Sequence, residues 1–229
     1  MYTQTLRRGI VLGMAMVLLA TAAVSAQMDQ KFAQARQQNA QALRQFAWKS
    51  RTEVRKGGET KSVQLAYMRY DMNGMVQKTP LSGTPQAQLP THGIRGLVAQ
   101  KKKENFLETL DGLGRLAHAY GELTPDAIQR FLATAMARPE IGPQQRLIRI
   151  TGGNLLQPGD VMTVWVDAAT RKQRRVEIQT TLDRKPVRIV SDFQDLPQGP
   201  TYLARSVVEY PSEGLTLITE NFDYEPARR

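Results

Sequence analysis

The sequence contains no cysteine and only two histidines, and these scarcities exclude several kinds of site. Without cysteine, the chain has no disulfide framework, no thiolate metal site and no cysteine nucleophile. His92 lies in a proline-rich loop and His118 lies beside the apolar face of a predicted helix, and neither has a partner at metal-ligand spacing. The sequence therefore predicts no metal site and no cofactor.

The sequence also lacks enzyme motifs. It has no G-x-S-x-G elbow, no phosphate-binding loop and no dinucleotide fingerprint. Asp192 and Asp195 lie near predicted turns, where we expect both carboxylates to be solvated. We predict that the protein is not an enzyme. The alternative, an enzyme acting on an acidic polymer, needs a carboxylate pair that faces a cleft, and the sequence locates no such pair.

A long hydrophobic run occurs at the N-terminus. A short segment ending in Arg7 and Arg8 precedes about a dozen mostly apolar residues at 9–20, and small residues follow at 21–26. This order predicts a signal peptide over residues 1–26, cleaved before Gln27, and hence an exported, periplasmic protein. The alternative is a membrane anchor, but the run is shorter than the ~20 residues that a span needs.

The chain is basic, with a formal net charge of +10. Removal of Arg7 and Arg8 leaves 29 basic and 21 acidic residues, a net charge of +8. For an exported protein, this charge favours anionic lipid headgroups or acidic envelope polymers as partners, and not nucleic acid. The alternative is a basic surface without a specific target.

Hydrophobic periodicity predicts an α+β fold. An amphipathic helix is predicted over residues 28–47, a second helix over 98–120, and a third from the N-cap Thr124 to about residue 138. Short connections rich in turn residues predict that the strands form an antiparallel meander. The predicted strands are residues 48–55, 60–70, 75–77, 147–150, 161–167, 174–182, 186–193, 202–210 and 215–224. We predict one domain over residues 27–229, with a helical insertion at about 98–138.

The predicted sheet has one apolar face. In residues 174–182, Val176 and Ile178 alternate with Arg175 and Glu177, and the neighbouring strands repeat this pattern. A sheet of eight or nine strands with one apolar face must curl or be covered, and curling often leaves an apolar pocket. The alternative is that the helices fill the space completely.

The strand pattern resembles a known family. The segment "VMTVWVDAATRKQRRVEIQTTLDRKPVRIVSDFQDLPQGPTYLARSVVEY", together with the N-terminal helix and the "WKSRTEV" strand, is similar to the outer-membrane lipoprotein carrier family, called LolA-like. The resemblance covers residues 161–224 well and residues 27–70 loosely. It departs from the carriers between Tyr70 and Ile94, where their Arg-Pro segment is missing.

This resemblance implies a half-open β-barrel with a helical lid and an apolar cavity that holds acyl chains of lipids or lipoproteins. Transport of lipids or lipoproteins across the envelope is the function that it implies. The alternative, from another class, is a periplasmic interaction or sensor module with a filled core, which would bind another envelope protein.

Three groups of residues are the candidates for these roles. The predicted cavity lining is Leu65, Tyr67, Val164, Val166, Val176, Ile178, Val187 and Ile189. The predicted lid is Phe106, Leu110, Phe131 and Leu132. The bend of a hairpin carries a basic rim that we expect to face solvent, where an anionic membrane surface is a candidate partner: Arg171, Lys172, Arg174 and Arg175.

Overall fold

The computed structural model describes Gln34 and residues 37–83, 93–141, 146–197 and 199–227. The chain divides into two units, Met1–Arg44 and Gln45–Arg229. In the first unit, residues 37–43 form a helix, α1. The predicted signal peptide and residues 28–33 of the predicted first helix lie outside the described residues.

The predicted first helix extends too far at its C-terminal end. Phe46 and Ala47 belong to a strand, β1 (Phe46–Lys56), and not to a helix. This strand pairs with a strand on each side, Ala47 with Arg69 and with Glu225. Both backbone edges of β1 are hydrogen-bonded to neighbouring strands. These hydrogen bonds favour a strand at Phe46 and Ala47, although the spacing of the apolar residues is that of a helix.

The second unit is built on an antiparallel sheet of ten strands, one or two more than the sequence predicts. The sheet is curved and unclosed, and β3 and β4 form its two edges in the order β3-β2-β1-β10-β9-β8-β7-β6-β5-β4. The strands after β1 are β2 (Glu59–Tyr70), β3 (Val76–Gly83), β4 (Met136–Ile141), β5 (Arg146–Gly153), β6 (Val161–Asp167), β7 (Gln173–Leu182), β8 (Lys185–Asp195), β9 (Thr201–Tyr210) and β10 (Leu215–Pro226). The prediction of an α+β fold with an antiparallel sheet is confirmed.

Two helices follow β3 in the chain, α2 (Gly93–Gly121) and α3 (Pro125–Thr134). The predicted start of α3 is confirmed, because the Thr124 hydroxyl accepts a hydrogen bond from the backbone N–H of Ala127 at 3.3 Å. This contact satisfies one of the N–H groups that the first turn of a helix leaves free.

The predicted end of α3 is wrong. The helix ends at Thr134, and Met136 begins the edge strand β4, in which it pairs with Thr151 of β5. Pro139 cannot donate to a helix ladder, but an edge strand tolerates proline. The helix that we predicted to reach about residue 138 therefore stops before Met136, whose side chain is exposed.

The core lies between the sheet and these two helices. We call the sheet face that contacts them the helix face. Leu113 and Tyr120 of α2 and Phe131 of α3 belong to the same buried cluster as the valines and isoleucines of β6, β7 and β8. The fit is close, since a Cβ atom added to Gly152 of β5 would lie 2.8 Å from the Phe131 ring.

Candidate functional site

Six of the eight predicted cavity-lining residues lie together on the helix face. Five of them are buried in the core cluster, and the sixth, Val176, packs against it. The six are Val164, Val166, Val176, Ile178, Val187 and Ile189. The side chains of Leu113 and Tyr120 share this cluster. A ligand cavity lined by the six residues stays a prediction.

Leu65 and Tyr67 lie on the other face of the sheet, so the prediction that all eight residues share one face is wrong for these two. Residues directly opposite each other in an antiparallel pair share a face. Ala66, between them, is opposite Ser50, and β1 continues this face to Val54, opposite Leu217 of the core. Because side chains alternate along a strand, the neighbours of Ala66 point away from the helices.

The four predicted lid residues have different surroundings. Phe131 is buried and Phe106 packs against the core cluster, with the Lys56 ammonium 5.3 Å from its ring centroid. Leu110 is half-buried, whereas Leu132 is 41% exposed. The structure therefore places Phe106, Leu110 and Phe131 next to the sheet but leaves Leu132 in solvent, and movement of a lid stays a prediction.

Three of the four cations of the predicted basic rim pair with two aspartates. The Asp195 carboxylate pairs with Lys172 at 3.2 Å and with Arg174 at 2.9 Å, and Asp192 pairs with Arg175 at 3.1 Å. The expectation that both aspartates are only solvated is wrong. The side chains of Lys172 and Arg175 are still 39% and 41% exposed to solvent. Arg171, the fourth member of the rim, is exposed.

The local environment of Asp195 keeps it ionised. Burial by itself would raise the pKa of this carboxyl group. Hydrogen bonds from Thr201, Arg174 and Lys172 outweigh that effect and hold its pKa below the usual value. A carboxylate that remains charged keeps these cations paired, so the net positive charge of the rim is lower than its four basic residues would give.

A groove opens elsewhere, between α2 and the strands at the β3 edge. It has a volume of about 660 Å³. On the helix side the lining residues include two leucines, and on the strand side they are polar: Leu107, Leu110, Glu108 and Asp111 from α2, and Thr52, Gln64 and Lys78 from β1, β2 and β3. We call this the α2 groove. Leu110 is the member of the twelve predicted lining and lid residues that lines the α2 groove.

The polar residues of the α2 groove are held in place by local contacts. The Lys78 ammonium donates to the Gln64 side-chain oxygen at 3.3 Å, and Arg115 pairs with Asp111 at 3.2 Å, one helical turn away. Both contacts are exposed and contribute little to stability. Their effect is to place a cation on the strand side and carboxylates on the helix side of a groove with an apolar strip.

A second, smaller site was missed by the sequence analysis. Asp160 is buried at the start of β6, where its carboxylate accepts the Tyr120 hydroxyl at 2.7 Å and the backbone N–H of Leu155 at 2.7 Å. The N–H groups of Leu156 and Gln157 donate to it as well. Burial alone would raise the pKa of Asp160, but these hydrogen bonds lower it below the usual value.

This carboxylate attaches α2 to the β5–β6 loop and, through Tyr120, to Thr180 of β7, 2.8 Å from the same hydroxyl. Burial raises the pKa of Tyr120, so its hydroxyl stays protonated and remains a donor. A Gln-Pro-Gly-Asp turn is visible in the sequence, but the Tyr120 partner is 40 residues away. We interpret this cluster as structural, because its donors and acceptors satisfy one another.

Within the described parts of the chain, no three or more histidines, aspartates and glutamates are close enough to hold a metal ion. His118 is exposed and lies 3.4 Å from Glu122 on its own helix, and His92 lies outside the described residues. None of the helices in the described ranges has the length and apolar character required to cross a membrane.

Comparisons with known proteins concern the fold. No protein-family model matches the chain, and no curated protein matches it. Similar crystal structures include a DUF1329 family protein from Desulfovibrio piger, 11% identical, with 82% of this chain and 89% of that chain covered and a TM-score of 0.39. They also include a LolA superfamily protein from Nitrosomonas europaea, 12% identical, with 84% and 92% covered and a TM-score of 0.35.

Proposed function

We propose that the protein binds an acyl chain of a lipid or lipoprotein in the α2 groove and acts as an exported, non-enzymatic binding protein of the cell envelope. The observation that carries this proposal is the apolar strip of Leu107 and Leu110 facing a groove of about 660 Å³. Ligand pockets commonly have volumes of roughly 300–1,000 Å³, and an acyl chain fits this range.

The physical basis of the proposal is the exposure of an apolar side chain, that of Leu107, in the middle of α2. Leu107 is 43% exposed, whereas Leu113, further along the same helix, is completely buried. Covering apolar surface is favourable by about 0.8 kcal/mol for each CH2 group that leaves water. An acyl chain in the groove would gain this energy without any catalytic group.

The strand side of the α2 groove would contact the polar end of the ligand. Lys78 offers a positive charge there, and Thr52 and Gln64 offer hydrogen bonds. The six predicted lining residues on the helix face would join the site if Leu113 and Tyr120 moved away from them. That extension is a separate prediction, since binding in the groove does not require it.

Two measurements test the proposal. Mass spectrometry of lipids that co-purify with the exported protein identifies the ligand, and titration with a fluorescent fatty acid gives its affinity. We expect Leu107→Asp to weaken fatty-acid binding roughly tenfold, because the charge removes about 1.4 kcal/mol or more of apolar contact. Leu156→Asp is the matched control, since Leu156 is 37% exposed in the β5–β6 loop.

Absence of co-purifying lipid together with no fatty-acid uptake would contradict the proposal. Equal effects of Leu107→Asp and Leu156→Asp on fatty-acid binding would contradict the proposed location. The ligand would then bind outside the α2 groove.

The second candidate function is an interaction module with a filled core. It is favoured by the burial of Leu113, Tyr120 and Phe131 in the same cluster as the predicted cavity lining. Under this alternative the exported protein captures a stable protein partner, and its affinity for that partner does not change when lipid is removed by detergent extraction.

A further inference from the structure

The turn between β2 and β3 is tightly built. The N–H of Asp71 donates to the carbonyl of Met75 at 2.9 Å, and the N–H of Gly74 donates to the carbonyl of Asp71 at 3.0 Å. One side-chain oxygen of Asp71 accepts the N–H groups of Asn73 and Met75, both at 2.9 Å. Gly74 has a φ of 77°, which glycine adopts without strain. The turn therefore presents its side chains from a defined backbone.

This turn places large apolar side chains in solvent. Met72 is fully exposed, Met75 is 67% exposed, and Val76, the first residue of β3, is about half exposed. Turns normally carry glycine, asparagine, aspartate and serine, so two methionines are unusual there. Adjacent exposed apolar residues at a protruding turn indicate an interaction surface.

Aromatic residues lie directly behind the turn, at the same end of the central strands. Trp48 at the start of β1 contacts Tyr70, the last residue of β2, with ring centroids 5.4 Å apart. It stacks on Tyr224 at 5.5 Å, and Tyr224 contacts Tyr202 at 4.3 Å. Trp48 is buried, so this cluster supports the base of the turn and leaves contact with a bilayer to the exposed side chains of the turn itself.

Two basic side chains of the same hairpin, those of Arg69 and Lys78, form hydrogen bonds with neutral groups and not with carboxylates. Arg69 donates to the side-chain oxygen of Gln77, and Lys78 to that of Gln64, both at 3.3 Å. These acceptors are neutral, so the cations keep their charge. Of the two, Arg69 lies beside the turn, whereas the Lys78 ammonium is directed at Gln64 in the α2 groove. The basic rim differs in its contacts, because aspartates pair with Lys172, Arg174 and Arg175.

We propose that the β2–β3 turn docks the protein on an anionic lipid bilayer, with Met72 and Met75 inserted at the headgroup level and Arg69 close to the anionic headgroups. Each basic residue near such a surface is attracted to it, and burial of each methionine adds a hydrophobic contribution. The contact is reversible, because a single turn buries far less apolar surface than a membrane-spanning helix.

The proposal is tested by co-sedimentation of the exported form of the protein with two kinds of vesicle. One contains phosphatidylethanolamine with phosphatidylglycerol, and the other contains phosphatidylcholine alone. We expect binding to the first kind only, and a decrease as salt is added, because salt screens the headgroup charge. Replacement of both methionines, Met72→Ser with Met75→Ser, is expected to weaken binding about 10- to 100-fold.

The matched control is Met136→Ser. Met136 is 62% exposed, close to the value for Met75, but it lies on β4 at the opposite edge of the sheet. We expect this variant to bind the anionic vesicles like the unmodified protein. Fatty-acid binding should be unchanged in the double serine variant, because the methionines lie outside the α2 groove.

Equal binding of all variants to the anionic vesicles would overturn the proposal. So would an effect of Met136→Ser as large as that of the double substitution, or capture of an envelope protein through Met72 and Met75 without any vesicle binding. Loss of fatty-acid binding by Leu107→Asp with normal vesicle binding would separate the groove from the turn.

Discussion

The helix face of the sheet has two halves that differ in what lies on them. On β6, β7 and β8 the residues are mainly valine, isoleucine and methionine, and Leu113, Tyr120 and Phe131 cover them. On β1 and β2 the same face carries Ser50, Thr52 and Gln64 between Val54 and Ala66, and there the α2 groove opens. We call these the apolar half and the polar half.

Because of this difference, α2 has two environments along its length. The C-terminal part of α2 is fixed by burial of Leu113 and by the hydrogen bond from Tyr120 to Asp160. Its N-terminal part leaves Leu107 exposed beside the polar half. Where strand and helix are both apolar, the space is filled and gives stability. Where the strand side is polar, helix and sheet do not close on each other, and the α2 groove remains between them.

The largest predicted effect is on the apolar half. Replacement of the completely buried Leu113 by alanine should reduce the free energy of unfolding by about 2–5 kcal/mol, because a cavity replaces well-packed methyl groups. Leu107→Ala in the polar half should change it by less than about 1 kcal/mol, as is usual for exposed positions. Urea denaturation measures both. Equal effects of the two substitutions would contradict the division into halves.

The next effect concerns the attachment of α2 to the β5–β6 loop. Tyr120→Phe removes a donor from the buried Asp160 carboxylate and should cost about 1–3 kcal/mol of unfolding free energy. Tyr202→Phe is the control, since its hydroxyl donates to Gln194 at an exposed site. We expect thermal denaturation to show a clear loss for the first variant and little change for the second. A neutral Tyr120→Phe would show that packing alone holds α2.

A third prediction concerns Glu53 of β1, whose side chain lies on the face of the sheet that points away from the helices. Glu53 is almost completely buried and accepts hydrogen bonds from Arg55, Thr60 and Arg51, which lower its pKa from 4.5 to about 2. Because the pKa in the folded state is depressed, the stabilisation is complete above the unfolded pKa of 4.5. It is lost as the pH falls toward 2.

The test compares Glu53→Gln with the unmodified protein by denaturation at several pH values. We expect a difference in stability that is constant at neutral pH and shrinks as the pH falls from 4.5 toward 2. The loss caused by Leu113→Ala should not depend on pH over this range. A Glu53→Gln difference that is constant down to pH 2 would mean that the ionised carboxylate does not stabilise the fold.

The smallest predicted effects are those of substitutions at Gly112 and Gly114, which flank Leu113 in α2. A Cβ atom at Gly114 meets nothing within 4 Å, so Gly114→Ala should stabilise the helix by about 1 kcal/mol. A Cβ atom at Gly112 would lie 3.3 Å from Leu182, so Gly112→Ala should gain less or lose stability. If both substitutions stabilise equally, the contact between α2 and β7 is looser than the structure indicates.

The sequence predicted much of the fold but little of the site. The alternation in β7 and β8 and the start of α3 at Thr124 are local patterns, and they survive folding unchanged. The pairing of Lys172 and Arg174 with Asp195 joins β7 to the end of β8, and the α2 groove joins one helix to three strands. Contacts between distant elements leave no periodic signal in the chain.

The sequence by itself determined the order of the helices and of every described strand except β4, because hydrophobic period and turn residues act over a few positions. Only the tertiary structure decided which face of β2 meets the helices, since β2 has apolar side chains on both faces. Its register with β1 selects Ala66 and not Leu65 or Tyr67 for the helix face. A period of two defines two faces of a strand, but only pairing with its neighbour determines which of them faces the core.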